Sequence, residues 1–347
     1  MFQGIDLYSD TMTRPSRAMR EAMAAAEVGD EQKGEDPTTL ALEARAAALL
    51  GLESALFFPS ATMANEVALM LHCSHGDELI AAENCHLFFA ETGGPAKHAG
   101  VQTRMVPTPT GIFDAEAVSQ HFNAISGPHF MVSRLISIEN TTNLGGGIAW
   151  PRTTLAGVVE RAKSLGLKLH LDGSRLFNAA VASECEVKSL AAGFDSVTIC
   201  FSKGLGCPTG AILAFEKSKW DRVRRLKQLM GGAMRQSGML AAAALYALDH
   251  NVERLNEDHE NARLLAQGLA SVHGVRVENE APSTNMVFFE NRNPKLDDLA
   301  FSQACERAGV RFSQVGRSRF RAVTHLDISR SDIEKTLEIL AKIGTEA

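Results

Sequence analysis

The stretch SVTICFSKGLG at residues 196–206 decides the fold class, because a short apolar run typical of a buried strand passes directly into a glycine-rich turn. A second stretch, KLHLDGSR at residues 168–175, is organised in the same way and runs into Asp172 and Gly173. In open α/β sheets, ligands collect beyond the carboxyl ends of the strands. The polar side chains at these two strand ends are therefore the first candidates for a functional site.

Further apolar runs predict more buried strands around these two stretches. They occupy residues 54–59, 78–82, 135–138 and 210–215. Helical periodicity follows the first run at residues 63–72, and Thr153 with Thr154 is expected to cap a helix that stops at Gly166. Strands that alternate with helices predict an α/β fold with a mostly parallel sheet sandwiched by helices.

The pattern changes after about residue 235. A long helical region at 239–272 is followed by strand-like residues 275–277 and 286–290 and by a helix at 296–308. This order predicts a smaller C-terminal α+β domain. We place the large domain at residues 1–240 and the small one at 241–347.

Composition excludes several classes of protein. The chain has 347 residues, of which 45% are hydrophobic and 22% charged, so it can bury a large core. Its net charge is -6 and no basic block is present, which argues against nucleic acid as a partner. The start, MFQGIDLYSD, lacks the features of a signal peptide, and no stretch approaches the roughly 18 apolar residues of a bilayer span. We expect a cytoplasmic protein that does not bind membranes.

Cysteines and histidines give no sign of a metal site. The six cysteines are scattered singly, as is typical of small buried side chains, and the eleven histidines lack an H-x-x-x-H or H-E-x-x-H arrangement. We therefore predict no metal ligands.

Lys203 and Asp172 suggest one particular chemistry. Desolvation of a lysine at the end of a buried strand favours its neutral, nucleophilic amine, and a buried acid needs a cation or a donor opposite it. Pyridoxal 5′-phosphate requires one lysine for its aldehyde and one carboxylate to keep its ring nitrogen protonated. From the residues alone, a structural ion pair remains the alternative.

Other polar residues give weaker signals. Ser60, Ala61 and Thr62 precede or begin a helix, where backbone N–H groups can bind a phosphate or simply be capped. His86 follows a predicted strand, where a packed histidine is the commoner case. Three widely separated arginines have the ordinary interpretation of solvated surface charges. They are Arg175, Arg235 and Arg321.

Two segments, Asp-Gly-x-Arg-x-Phe-Asn-Ala from Asp172 and Ser-Lys-Gly-Leu-Gly around Lys203, match a known family and lie 31 positions apart. The segments DLYSDTMTRPSRAMREAM, FFPSATMANEVAL and HLFFAETGGPA match the same family, and the likeness extends over nearly the whole chain. The chain resembles the L-threonine aldolases, in the fold-type I group of pyridoxal-phosphate enzymes that also contains the β-eliminating lyases. This resemblance implies reversible cleavage of a small L-β-hydroxy-α-amino acid, of the threonine, allo-threonine or phenylserine type, to glycine and an aldehyde. A β-eliminating lyase or a racemase is the alternative within the class, and a non-catalytic relative is the alternative outside it.

The resemblance also implies roles for the candidates at the cofactor. Lys203 is expected to hold the cofactor as a Schiff base, Asp172 to pair with its ring nitrogen, and His86 to stack on its ring. Ala61 and Thr62 are expected to bind its phosphate.

The remaining roles concern the substrate and the assembly. The residues implied for the substrate carboxylate are Ser9, Arg175 and Arg321. An arginine fork suits a carboxylate. Members of the family are usually tetramers with sites between subunits, so we expect a homo-oligomer, dimer or tetramer, in which Arg235 reaches the phosphate of a neighbouring subunit.

Four positions depart from the family pattern. The family usually has arginine at Tyr8, tyrosine at Lys33 and glycine at Ala61. In many members a histidine that is thought to face the substrate hydroxyl stands at Thr142. Its absence leaves His86 and an ordered water as the two candidates for the base that takes the hydroxyl proton.

Overall fold

The computed structural model of the protein describes residues 2–346. Its strands are β1 (Ile5–Asp6), β2 (Ser54–Phe58), β3 (Glu78–Ala82), β4 (Gln102–Val106), β5 (Ser133–Glu139), β6 (Lys168–Gly173), β7 (Ser196–Cys200), β8 (Ala211–Phe215), β9 (Val275–Val277), β10 (Met286–Asn291), β11 (Val310–Arg311), β12 (Ser313–Gly316) and β13 (Arg319–Val323). Its α-helices are α1 (Arg17–Ala24), α2 (Pro37–Leu50), α3 (Ala61–His72), α4 (His86–Phe89), α5 (Ala115–His121), α6 (Arg152–Ser164), α7 (Leu176–Ala182), α8 (Val187–Ala191), α9 (Trp220–Leu229), α10 (Gly238–His250), α11 (Leu255–Leu269), α12 (Asp298–Arg307) and α13 (Arg330–Glu346).

A seven-stranded sheet forms the larger part of the fold, in the order β2-β8-β7-β6-β5-β3-β4. Only β8 runs antiparallel to its neighbours, and the other pairs are parallel. Both faces of the sheet are covered. Along β2, for example, Phe57 packs in one hydrophobic cluster while Leu56 and Phe58 pack in another, as the two-residue period of a strand requires. The expected mostly parallel sheet between layers of helices is confirmed.

The predicted strands form where mostly apolar residues, with a few polar ones such as Ser196 and Thr198 in β7, allow burial on both faces. Every residue of β3, β7 and β8 is buried, which is the pattern of central strands in α/β proteins. One expectation about a helix cap is wrong. Helix α6 already begins at Arg152, and Pro151 precedes it without a side-chain cap. The proline ring restricts the backbone at the helix entry, so Thr153 lies inside the first turn.

The C-terminal part contains a four-stranded antiparallel sheet in the order β12-β13-β10-β9. Its core is a cluster of rings in edge or stacked contact, formed by Phe289, Phe301, Phe312 and Phe320. The predicted helical region at 239–272 is two helices, α10 and α11. The alanines of α10 pack in the core of the large sheet, and the middle of α11 packs in the C-terminal core. The division at residue 240 stays a prediction.

The chain start joins the two parts. Strand β1 pairs in parallel with β11, so that Ile5 lies opposite Val310. The backbone N–H of Val323 in β13 donates to the carbonyl oxygen of Leu7 at 2.9 Å. The segment that follows, including Ser9 and Asp10, is thereby held at the edge of the large sheet.

Within residues 2–346, none of the helices combines the length and the apolar character that crossing a membrane requires.

The buried carboxylate of Asp36 ties α2 to α10, and its removal should destabilise the protein. It caps α2 by accepting the N–H of Thr39 at 2.9 Å and also accepts the N–H groups of Gly238 at 2.9 Å and Gly29 at 3.2 Å. Because Asp36→Ala leaves buried donors without an acceptor, we expect the free energy of unfolding to fall by about 2–4 kcal/mol in urea titrations.

The matched control is Asp297→Ala at the exposed start of α12. That carboxylate accepts the N–H of Ala300 at 2.8 Å and no other N–H in the described part of the chain. The expected loss is about 1 kcal/mol. Equal losses for the two variants would contradict the structural role of Asp36.

Candidate active site

Polar groups gather at the carboxyl ends of the central strands. In the parallel register, Glu139 at the end of β5 lies opposite Asp172 in β6. Lys203 follows β7 by three residues, and its charge acts on Asp172, on His86 and on Asp10. Parallel strands end at the same edge of a sheet, so these groups share one site. The structure thus brings together Lys203, Asp172 and His86.

Asp172 is a buried and ionised carboxylate. Its side chain accepts hydrogen bonds from the Ser174 backbone N–H at 3.1 Å, the Ser174 hydroxyl at 2.7 Å and the Asn65 amide at 3.0 Å. Burial raises the pKa of Asp172, but the positive charges of His86 and Lys203, followed by the Ser174 hydrogen bond, outweigh it and place the pKa below its usual range. A carboxylate of this kind can hold a protonated ring nitrogen.

Lys203 lies in a fixed turn while its amine is unpaired. Its carbonyl oxygen accepts the hydroxyl of Thr13 at 2.9 Å and the N–H of Gly206 at 2.8 Å. The side chain is half-buried, and its amine forms no ion pair with any group among residues 2–346. An amine in this position can react with an aldehyde.

Glu91 holds His86 by one ring nitrogen. The Nδ1 atom of His86 lies 2.9 Å from a carboxylate oxygen of Glu91, and its backbone N–H donates to Glu139 at 3.3 Å. A ring nitrogen of His86 and one carboxylate oxygen each of Glu91 and Asp172 all lie within 4.8 Å of one another. Burial lowers the pKa of His86, but the Glu91 hydrogen bond and the charge of Asp172 raise it above its usual value. The imidazole is therefore fixed in orientation and favoured in its charged form.

Arg175 is anchored by an acid that the sequence reasoning did not single out. Its Nε and Nη2 atoms donate to the two carboxylate oxygens of Asp10, each at 2.7 Å. Both side chains are buried. Burial raises the pKa of Asp10, but the charge and hydrogen bonds of Arg175 lower it well below its usual range. The bidentate pair uses two guanidinium nitrogens and leaves Nη1 of Arg175 for a ligand.

Arg321 lies close to Arg175 and forms no ion pair with any group among residues 2–346. Its Nη1 atom donates to the amide oxygen of Asn143 at 2.6 Å, whereas its buried Nε atom has no partner within residues 2–346. Burial and then the charge of Arg175 lower the pKa of Arg321 to about 10. Two neighbouring guanidinium groups with one carboxylate between them favour an added anion, and a ligand carboxylate is suited to this place.

Three further candidates occupy different positions. Ser9 is buried; its hydroxyl oxygen accepts the N–H of Thr11 at 3.2 Å, and its hydroxyl donates to Oδ1 of Asp10 at 3.5 Å. Ala61 and Thr62 are the first two residues of α3, and one turn later Asn65 touches Asp172. Their N–H groups have no partner inside the helix and can bind an anion.

Arg235 does not join this cluster within the single chain. It is exposed, and its Nη1 atom pairs with Asp30 at 3.1 Å. Tyr8 and Lys33 are exposed as well.

Thr142 is buried and its hydroxyl is engaged. The oxygen accepts the N–H of Ile148 at 3.2 Å, and the backbone N–H of Thr142 donates to the Ile148 carbonyl at 3.0 Å. The side chain therefore closes a local turn.

Sequence reasoning missed several buried or partly buried polar residues that support the site. They are Asp10, Asn65, Glu91, Glu139, Asn143 and His170. A signal was present for some of them. Asn65 is a polar residue in the mostly apolar helix α3, and His170 alternates with leucines in β6.

The sequence model of one protein family, the beta-eliminating lyases, matches residues 6–292 of this chain. The chain belongs to the beta-eliminating lyase family, among its threonine aldolases. Low-specificity L-threonine aldolase 1 of Arabidopsis thaliana is 41% identical over 341 residues, which cover 97% of this chain and 95% of that protein.

Solved structures show the same fold. A threonine aldolase of Leishmania major aligns with a TM-score of 0.83 at 20% identity, covering 98% of this chain and 99% of that one. A serine palmitoyltransferase of S. paucimobilis, solved with bound pyridoxal phosphate and myriocin, aligns with a TM-score of 0.75 at 18% identity, covering 99% and 88%. The expected fold-type I architecture is confirmed.

Loss of the acid that holds Arg175 should be costly for this family member. Asp10→Ala leaves a buried guanidinium without its counter-ion, so we expect the free energy of unfolding to fall by about 3–5 kcal/mol in urea titrations. Asp6→Ala is the matched control, because Asp6 forms the same kind of pair with Arg311, but both side chains are partly exposed. The expected loss there is about 1 kcal/mol. A smaller loss for Asp10→Ala than for Asp6→Ala would contradict the assigned burial.

Proposed function

We propose that this protein is a pyridoxal-phosphate-dependent aldolase that reversibly cleaves a small L-β-hydroxy-α-amino acid, such as threonine, allo-threonine or phenylserine, to glycine and an aldehyde. The observation that carries the proposal is the ionised, buried Asp172 beside the unpaired amine of Lys203. Relatives named as low-specificity L-threonine aldolases support it across nearly the full chain.

The residues present fit the cofactor. Lys203 offers an amine for the aldehyde, Asp172 a carboxylate for the ring nitrogen, and His86 an imidazole to stack on the ring. The free N–H groups of Ala61 and Thr62 suit its phosphate. Pyridoxal 5′-phosphate is the cofactor, and when bound it supplies an electron sink for the bond that breaks.

The substrate carboxylate binds Arg175, Arg321 and Ser9. The unpartnered Nε of Arg321 and the free Nη1 of Arg175 offer donors of the geometry that a carboxylate accepts. Two-point binding of the carboxylate would fix the orientation of the substrate about its Cα atom, and with it the direction of the Cα–Cβ bond. That alignment selects the bond between Cα and Cβ for cleavage.

The hydroxyl proton leaves through His86 or through an ordered water. Glu91 holds Nδ1 of His86, so Nε2 is the nitrogen that can take the proton. Because the pKa of His86 is raised, the neutral form that accepts a proton becomes abundant only at higher pH than for an ordinary histidine.

We further propose a homo-oligomer, dimer or tetramer, in the cytoplasm, with amino acids as ligands and with neither nucleic acid nor membrane as partner. Large apolar side chains on the surface support an interface. Phe89, in the same short helix as His86, is 69% exposed, and Leu229 is 75% exposed. In such an assembly the exposed Arg235 is available to the phosphate of a neighbouring subunit.

Product analysis tests the function. With threonine, the purified protein loaded with cofactor should release glycine and acetaldehyde in equal amounts, whereas a 2-oxo acid and ammonia would identify elimination and a D-amino acid racemisation. Lys203→Ala should abolish the visible absorbance of the bound cofactor and lower turnover by orders of magnitude. The matched control is Lys217→Ala at an exposed lysine, for which both readouts should stay unchanged. Retained absorbance and turnover in Lys203→Ala would refute the assignment.

Thr142 is the position at which we expect substrate preference to be set. Thr142→His introduces a larger and titratable side chain, so rates on phenylserine should fall relative to threonine, and the ratio of threonine to allo-threonine should change, by about tenfold or more. Thr142→Ser keeps the hydroxyl that accepts from Ile148 and should leave these ratios nearly unchanged. Identical ratios in the wild type and Thr142→His would exclude this role.

A further inference from the structure

A chain of hydrogen bonds runs through the interior behind Asp172. His72 Nε2 lies 2.8 Å from the hydroxyl of Ser196, which lies 2.9 Å from Nδ1 of His170. The Nε2 atom of His170 lies 3.2 Å from the amide oxygen of Asn65, and the amide nitrogen of Asn65 lies 3.0 Å from Asp172. Ser196, His170 and Asn65 have no exposed surface.

The periods of one helix and two strands place these residues in line. His170 and Asp172 are two positions apart in β6 and so face the same side of the sheet. Ser196 is the register partner of His170 in the adjacent strand β7. Asn65 and His72 are seven positions apart on α3, two turns along the same face. The chain therefore fills the seam where α3 crosses β6 and β7.

The amide of Asn65 can have only one orientation. Its nitrogen faces two carboxylates, Asp172 at 3.0 Å and Glu91 at 3.1 Å. The pKa of Asp172 lies below its usual range, so its ionised carboxylate accepts but does not donate, and it is the amide nitrogen of Asn65 that must face it. The amide oxygen must then face His170, whose Nε2 has to carry a hydrogen.

The hydrogen on Nε2 of His170 determines the direction of the remaining hydrogen bonds in the series. Burial lowers the pKa of His170 to about 4, so the ring is neutral at neutral pH and its Nδ1 is an acceptor. The hydroxyl of Ser196 donates to Nδ1 and is left to accept from Nε2 of His72. Burial, followed by the proximity of His170, lowers the pKa of His72 to about 3, so this ring is neutral as well.

We propose that Asn65 and His170 are positioning residues, and that the one-way chain from His72 through Ser196, His170 and Asn65 aims Asp172 at the cofactor. Every donor in the chain points towards the site. Asn65 also separates two acids that would repel each other, and it links Asp172 to the carboxylate that orients His86. This inference rests on the proposed function of Asp172 and extends it to side chains that touch neither cofactor nor substrate.

Asn65→Leu tests the end of the chain nearest the site. The leucine keeps the volume of the side chain and removes both donors. We expect the dissociation constant of pyridoxal phosphate, measured by titrating the apo-protein, to rise about 10- to 100-fold. The turnover number should fall while the KM for threonine changes little, because Arg175 and Arg321 are untouched.

The matched control is Asn291→Leu, the same change at a buried asparagine of the C-terminal sheet that donates to the Leu296 carbonyl at 2.8 Å. It should lower stability and leave cofactor affinity unchanged. If both variants alter affinity equally, the effect is general destabilisation and the positioning role is wrong.

His170 tests the direction of the chain. His170→Leu should weaken cofactor binding, whereas His170→Gln keeps a side-chain donor near the place of Nε2 and should restore most of the affinity. Failure of glutamine to exceed leucine would overturn the assigned direction.

The neutral state of His170 can be tested separately through the pH dependence of the free energy of unfolding. The groups that face it are Asp172, Ser196, Asn65 and His72. Its pKa is near 4 in the folded protein and near 6.5 when unfolded, so the unfolded state binds one more proton between these values. Its contribution to stability is therefore complete above about pH 6.5 and is lost as pH falls towards 4. The slope of the free energy of unfolding against pH between about pH 4 and 6.5 should fall by about one proton in His170→Gln. An unchanged slope would contradict the neutral ring.

These outcomes separate the two proposals. A wild-type protein that binds no pyridoxal phosphate, or forms no glycine, contradicts the proposed function. A wild-type protein that does both, with normal cofactor affinity in Asn65→Leu and His170→Leu, contradicts only the positioning chain.

Discussion

The site depends on keeping one carboxylate charged where water cannot reach it. Asp172 is 2% exposed, and burial alone would favour its neutral form. The surrounding side chains reverse this preference through two nearby cations and three hydrogen-bond donors. Such an arrangement is already organised before a ligand arrives, so little reorganisation is needed when a protonated ring nitrogen binds.

The neighbouring region around Arg175 and Arg321 has the opposite, positive charge. Arg175 is neutralised by Asp10, whereas Arg321 has an amide partner and a buried, unpartnered Nε. The net charge of this corner is therefore positive, beside an acid-rich cluster around Asp172 and Glu91. Within one site, an anion is therefore favoured beside Arg321 and a cation beside Asp172.

The sequence predicted the central strands well and the supporting contacts poorly, for physical reasons. Strands buried on both faces are mostly apolar, so β3, β7 and β8 could be recognised directly. The edge strand β4 is mostly polar and partly exposed, and it lacked this signal. Local pattern also located Lys203 and Asp172, because each ends an apolar run. Residues that are distant in the sequence give no local pattern for their contact, so the pairing of Asp10 with Arg175 could be recognised only in the folded structure.

The chain start explains why that pairing matters for the whole molecule. Strand β1 belongs to the C-terminal part, while Asp10 binds Arg175 at the end of β6 and Thr13 binds the carbonyl oxygen of Lys203. Asn285, at the start of the antiparallel sheet, also donates towards Asp10 at 3.4 Å. The same short segment thus contacts the lysine-bearing turn, Arg175 and the C-terminal sheet that carries Arg321. Any shift between the two parts of the fold would change the distance between the two arginines, so the N-terminal segment fixes the width of the space between Arg175 and Arg321.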